Sequence, residues 1–257
     1  MRGWLRKILR RGRCYLLCSV SRAGAHLLSD GLRATRLAGK PERYFSEGLE
    51  QEFSARYGFA SESDYAAYVR GMLTAAATVN GVFGFRIESW EMERFIGCLR
   101  ATGEFAAPEA GELGILRGAF PGLRLIQLTR QDKLRQAISR ARAMQTNVWV
   151  SAPTQSATGE AVFDPAFIQD CLLSALRAEK LWSDFFQRND IDPLAITYED
   201  LCADYAGTVG RVLDYLQIRL PRGRAIKTPT TVRQADARTE DSVRRYEALN
   251  LPEPTEL

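Results

Sequence analysis

The stretch Cys14-Tyr15-Leu16-Leu17-Cys18-Ser19-Val20-Ser21-Arg22-Ala23-Gly24-Ala25-His26-Leu27-Leu28 decides the fold. Residues 15–19 are an apolar run of the length of a buried strand, residues 20–26 form a small-residue turn, and a helical repeat follows at Leu27, Leu28, Leu32 and Thr35. A buried strand that runs through a glycine-bearing turn into a helix aims consecutive backbone N–H groups, and the positive end of the helix dipole, at one point. An anion fits that point. Arg22 adds a fixed charge with forked donors, and Gly24, lacking a side chain, lets a ligand come close. Phosphate or sulfate chemistry is therefore expected. Gly39 and Pro41 stop the helix.

Working outward, residues 46–78 read as helices that carry no chemistry. Asn80-Gly81 marks a turn before a strand over 82–87, and helical spacing resumes at Trp90, Phe95 and Leu99. A strongly apolar strand over 123–128 ends at Thr129-Arg130, and Asp132 caps a helix whose inner face is Leu134, Ala137, Ile138, Ala141, Met144 and Val148. Arg130 thus falls where a strand's carboxyl end meets a helix start, the place where open α/β sheets bind ligands. Residues 151–160 are polar and read as a flexible insertion, a candidate lid. Beyond it come a long helix through Ile168, Trp182 and Phe186, a strand over 193–197, a helix over 204–218, a basic tail with Arg233 and Arg238, and a last helix with Asp241 as its cap. This alternation predicts an α/β fold, a mostly parallel central sheet flanked by helices. Nothing marks an internal boundary, so residues 14–257 read as a single domain behind a basic lead-in, residues 1–13.

The 257 residues suffice for a proper core, and 46% hydrophobic with 26% charged residues is ordinary for a globular enzyme. Five scattered cysteines, with no C-x-x-C pair and a single histidine, argue against a zinc site or a disulfide framework, and no metal is expected. A reducing, cytoplasmic setting follows from that usage. No apolar run reaches the roughly eighteen residues of a membrane span. A secretory signal is rejected, because the apolar stretch is short, Arg22 interrupts the cleavage region, and the same residues are needed as the first strand. Residues 1–13 carry six cations and no acid, with Trp4, Leu5, Ile8 and Leu9 on one helical face. That segment is either a solvated lead-in or a peripheral contact with an anionic membrane. No nucleic-acid partner is expected.

The turn is not G-x-x-x-x-G-K-[ST], since no lysine is followed by a hydroxyl to hold magnesium, and it is not G-x-G-x-x-G. Spacing alone leaves it either an anion site or an ordinary strand-to-helix connection. Likewise His26 is by itself either catalytic or a packed ring.

Longer segments narrow the choice. Arg22-Ala23-Gly24-Ala25-His26-Leu27-Leu28, Leu32-Arg33-Ala34-Thr35, Gly39-Lys40-Pro41-Glu42-Arg43-Tyr44-Phe45, Asn80-Gly81-Val82-Phe83-Gly84, Arg130-Gln131-Asp132, Gln136-Ala137-Ile138-Ser139, Gln145-Thr146-Asn147-Val148-Trp149 and Arg233-Gln234-Ala235-Asp236 occur in one order along most of the chain. Together they resemble the bacterial trehalose 2-sulfotransferase family, whose loop reads Arg-Ser-Gly-Ser-Thr-Leu-Leu. The resemblance implies a P-loop-like sulfotransferase fold, 3′-phosphoadenosine-5′-phosphosulfate (PAPS) as donor, a carbohydrate or glycolipid hydroxyl as acceptor, and a homodimer. It further implies that Arg22 and the amides of Ala23, Gly24, Ala25, His26 and Leu27 hold the 5′-phosphosulfate, and that Arg130 and Ser139 take the 3′-phosphate. Arg233 and Arg238 would close over the nucleotide, although a solvated basic face is the commoner fate of such residues.

Three positions depart from the family pattern. Ala25 and His26 replace two hydroxyl residues, which removes two side-chain hydrogen bonds to phosphate unless His26 supplies one. Arg43 stands where the family has the glutamate proposed as general base, and arginine takes no proton at physiological pH. Glu42 is then the first candidate base, Glu47 and Glu88 are remoter ones, and Arg43 becomes a candidate grip on an anionic acceptor. Arg22, Glu42 and His26 are accordingly the catalytic candidates. Three readings result: a working sulfotransferase, a relative that keeps the fold without turnover, and a kinase-like nucleotide enzyme, which the missing lysine and hydroxyl disfavour.

Overall fold

The computed structural model describes residues 13–58, 64–149, 159–226 and 237–251. Within them, strands β1 (Arg13–Ser19), β2 (Val82–Glu88), β3 (Arg124–Thr129) and β4 (Leu194–Thr197) form one parallel sheet in the order β2-β1-β3-β4. β1 lies inside the sheet, and every residue from Cys14 to Ser19 is buried, which is why it reads as continuous hydrophobicity rather than alternation. Successive side chains still go to opposite faces. Cys14, Leu16 and Cys18 join Phe83, Phe85, Ile87 and Leu125 on one face, while Tyr15 and Leu17 join Val82, Ile126, Leu128 and Ile196 on the other.

The first face is covered by α2 (Glu50–Tyr57), α3 (Tyr65–Ala75), α4 (Met92–Ala101), α5 (Glu112–Ala119) and the carboxyl half of α7 (Pro165–Arg188). Its centre is aromatic: Phe45, Phe85, Phe95 and Phe120 meet edge-on, tilted or, for Phe45 on Phe95, stacked, at 4.5–6.0 Å. On the second face lie α1 (Ala25–Ala34), α8 (Tyr198–Ala203) and α9 (Tyr205–Tyr215). α6 (Lys133–Thr146), α10 (Ala237–Glu247) and the amino half of α7 share a smaller core around Ile138, Ile168 and Val243. Helices thus flank both faces of the sheet, the α/β arrangement that the sequence predicts. The strand order reverses direction between β1 and β3, and the crevice beyond the carboxyl ends of those strands is where such sheets bind ligands.

Several local expectations are corrected. α1 begins at Ala25 and ends at Ala34, well before Gly39, because the Thr35 hydroxyl donates to Leu32 O and accepts from the Leu37 and Ala38 amides. Trp90 is 61% exposed in a 3-10 turn, Ser89–Glu91, and the helix proper starts at Met92. On α6, Met144 is exposed and Val148 lies past the helix end, while Ala143 is buried instead. Asp241 is inside α10, paired with Arg244 and Arg245, rather than at its cap. The expected 204–218 helix is α9 preceded by the short α8, which Thr197 and Asp200 cap reciprocally. The lid expected over 151–160 falls mostly outside the described residues, as do residues 1–12 of the lead-in.

Candidate active site

The turn after β1 adopts the conformation that an anion cradle needs. Ala23 N donates to Val20 O at 3.1 Å, Arg22 and Gly24 have φ of +67° and +93°, and α1 starts directly behind them. Such alternation points neighbouring N–H groups into one concavity. Gly24 is required twice over: its φ is left-handed, and a Cβ there would sit 2.8 Å from Tyr198 Cδ2. Two long-range bonds fix the turn to the scaffold, Trp182 Nε1 to Ser19 O at 3.1 Å and Gln136 Nε2 to Ser21 O at 2.9 Å. Ala23 is fully buried beneath the turn, whereas Arg22, Gly24, Ala25, His26 and Leu27 line the cleft above it.

That cleft has a volume of about 1650 Å³. A pocket for one drug-sized ligand spans roughly 300–1,000 Å³, so there is room for two partners side by side. Among the described residues, eight arginines and three glutamates line it. On the β3 side, Arg22 donates from Nε to Ser139 Oγ at 2.9 Å and from Nη1 to Trp149 O at 2.5 Å, which ties the turn to α6 and to the segment after it. Burial, then the neighbouring Arg130 and Arg142, lower the Arg22 pKa to about 10. Arg130 is only 8% exposed, its guanidinium lies 4.5 Å from the centre of the Tyr198 ring, and its Nε has no hydrogen-bond partner among the described residues. Burial also depresses the Arg130 pKa. A buried, partnerless donor beside a second crowded guanidinium is what a phosphate or sulfate group would satisfy. Arg238 lines the same cleft, exposed and 3.5 Å from Glu160, and Arg233 lies outside the described residues.

Two of the three positions that depart from the family pattern, His26 and Arg43, make their contacts on the β2 side. His26 Nε2 accepts from Arg86 Nη2 at 3.0 Å, so the ring is neutral with its proton on Nδ1. Although His26 is exposed at the cleft, partial desolvation there, then Arg86, Arg22, Arg33 and Arg43, lower its pKa to about 3. His26 therefore presents neither a cation nor a strong base. Arg43 donates to Ser46 Oγ at 3.0 Å and to Glu91 Oε2 at 3.1 Å, and Glu91 is 2% exposed. The charge of Arg43 thus has a buried counter-ion, while its side chain still borders the cleft. Glu42 points elsewhere: its two oxygens face Arg33 and Arg56, each at 3.3 Å, and it is not among the residues that line the cleft. Glu47 is exposed. Glu88, the last residue of β2, does line it.

Arg86, Tyr198, Arg142 and Glu91 escaped the sequence reading. Arg86 left a signal, as the one charge inside an apolar alternation. Tyr198 obeys the same strand-end rule that picked out Arg130, applied to β4. Arg142 sits three residues after Ser139 and so on the same helical face, but Glu91 reads as an ordinary surface acid. The cysteines bring no chemistry here: burial pushes the Cys14 thiol up to about 12 and Cys18 well above its usual value. Among the described residues, no cluster of three or more His, Cys, Asp or Glu is placed to hold a metal, and no helix is long and apolar enough to cross a membrane.

Comparison with known proteins supplies the family. The chain is 28% identical over 256 residues to the trehalose 2-sulfotransferase of Mycolicibacterium smegmatis, covering 90% of this chain and 93% of that one. It is also 28% identical over 272 residues to that of Mycobacterium tuberculosis, with 93% and 98% covered. Superposition on the sulfotransferase domain of the Synechococcus PCC 7002 olefin synthase is loose, with TM-score 0.47 and 11% identity over 95% and 96% of the two chains; the fold assignment rests on the sheet itself. The model of the Stf0 sulphotransferase family matches residues 14–249, and the chain belongs to that family of sulfotransferases.

Proposed function

We propose that the protein transfers a sulfuryl group from PAPS to a hydroxyl of a carbohydrate or glycolipid acceptor. The observation that carries this reading is the convergence of Arg22, Ser139 and the buried, partnerless Nε of Arg130 on the turn at the sheet's switch point. In this reading Arg22 and the turn's amides hold the 5′-phosphosulfate, Arg130 and Ser139 hold the 3′-phosphate, and Arg233 and Arg238 close over the nucleotide. The donor supplies the sulfuryl group, and the protein supplies position and positive charge near the departing phosphate, as in phosphoryl transfer. Arg43 contacts the acceptor from the β2 side. The named activity of the two curated relatives supports a sugar as acceptor.

A second reading, nucleotide binding without turnover, draws on Arg43, which is ion-paired to Glu91 where the family pattern has its base. Two measurements separate the readings. Calorimetric titration with 3′-phosphoadenosine-5′-phosphate (PAP) is expected to show binding where ATP shows none, and labelled sulfate is expected to move from PAPS to trehalose, glucose or a glucose-headed glycolipid. PAP binding with no transfer to any of these favours the second reading, and absence of PAP binding sinks both.

A further inference from the structure

Resting on the sulfotransferase reading, we infer that Glu88 is the general base of this chain, in place of the glutamate that Arg43 has displaced. Glu88 ends β2 with its Cα paired to that of Ser19, the residue that ends β1 directly before the anion turn. Strand parity puts Arg86 and Glu88 on one face of β2, opposite Phe83, Phe85 and Ile87, which enter the aromatic core. α1 covers that face, and Arg86 already reaches His26 in its first turn. Two residues further on, about 7 Å along the strand, Glu88 stands at the sheet's carboxyl edge, where it borders the cleft.

The other carboxylates are less suited. Of those lining the cleft, the side chain of Glu52 is 57% exposed and paired to Arg56, and that of Glu160 is 86% exposed. Glu42 is not among the residues that line the cleft, and both its oxygens are ion-paired, to Arg33 and Arg56. Glu91 is buried, with Oε2 occupied by Arg43, Ser46 and the Glu88 amide. That last bond, at 3.2 Å, and the reciprocal cap of the Ser89–Glu91 turn hold Glu88 in place. A capping contact takes one carboxylate oxygen and leaves the other for a proton. Arg43, Arg86, Glu91 and Arg140 are the charges that act on Glu88, and burial outweighs the cations among them, raising its pKa. A raised carboxyl pKa makes a stronger base at neutral pH.

In the step so catalysed, the acceptor oxygen forms a bond to sulfur as the sulfur–oxygen bond to the 5′-phosphate breaks. The hydroxyl proton passes to Glu88, and the bond's electron pair leaves with PAP. The test compares wild type, Glu88→Gln, Glu88→Asp and Glu42→Gln with labelled PAPS and the best of the three acceptors, alongside PAP calorimetry and circular dichroism. Glu88→Gln is expected to lower kcat about 10²–10⁴-fold, to keep PAP affinity within about twofold, and to lose the acid limb of the pH–rate profile. Glu88→Asp is expected to keep that limb at reduced rate, which covers the case of a misfolded Gln variant, and Glu42→Gln to stay within about twofold of wild type. Transfer by Glu88→Gln within about threefold of wild type, an unchanged acid limb, or a matching loss of PAP affinity overturns Glu88 as base while leaving the sulfotransferase reading intact. Wild type that binds PAP and transfers to no acceptor overturns both.

Discussion

Arg43→Glu places a carboxylate where the family pattern has one, and it is predicted to unsettle the protein rather than to restore a base. Glu91 has a side chain only 1% exposed, and its Oε2 receives Arg43 Nη2 at 3.1 Å, Ser46 Oγ at 3.0 Å and Glu88 N at 3.2 Å. Breaking a fully buried ion pair by removing one partner costs about 3–5 kcal/mol. Here the Arg43 side chain is 32% exposed and Glu91 keeps two neutral donors, so solvent screening brings the expected loss down to about 2–3 kcal/mol. At roughly 2–4 °C per kcal/mol for a chain of this size, Tm should fall by about 4–12 °C. Thermal unfolding followed by circular dichroism measures this directly. Arg43→Gln, which removes the cation without adding a charge, should show a smaller fall, and adding Glu91→Gln to Arg43→Glu should recover at least half of the loss. A Tm for Arg43→Glu within about 1 °C of wild type would refute the reasoning, because Glu91 would then not depend on its counter-ion.

Further expectations concern the turn and its neighbours. Gly24→Ala pays about 1–2 kcal/mol for a left-handed φ and meets Tyr198, so calorimetry should show PAP affinity lowered at least tenfold. For Arg130→Met, loss of charge-assisted hydrogen bonds worth about 1.5–3 kcal/mol each should weaken PAP about 10–100-fold with little change in Tm; unchanged affinity would remove Arg130 from the nucleotide site. His26 is the chain's one histidine, so nitrogen-15 NMR of the ring reads the cleft without ambiguity: it should stay neutral with the proton on Nδ1 down to pH 5. Its folded pKa, about 3, lies below the unfolded value near 6.5. The unfolded chain therefore binds the extra proton, and stability falls as pH drops from about 6.5 toward 3. The His26→Gln variant should lose stability less steeply over that window, and a ring that titrates near pH 6.5 would contradict the assignment.

The sheet was legible because burial and sequence coincide there: a strand covered on both faces is apolar along its length, and residues 14–18 are. Arg130 was legible from topology, since strand ends in such sheets face ligands. What stayed hidden depends on where side chains turn after the backbone is placed. Glu42 and Arg43 are neighbours in sequence, yet one pairs with Arg33 and Arg56 and the other with the buried Glu91, across 48 residues of chain. No periodicity records that choice. Glu88 was only a remote candidate in the sequence because its merit is its register against Ser19, and register is a property of the pairing, not of either strand alone.

β1 is also a partition. Arg130, Ser139 and Tyr198 come from elements on its β3 side, whereas Arg43, Arg86, Glu88 and Glu91 come from the β2 side. With strands spaced about 4.8 Å apart, the two groups stand roughly 10 Å from one another across a single rigid strand. Of the three departures in this chain, Arg43 falls on the β2 side, whereas Ala25 and His26 lie in the turn-to-helix junction behind β1 itself. A fold built this way can exchange the residues that meet one partner while the grip on the other keeps its shape, so divergence in what is modified need not disturb what is consumed.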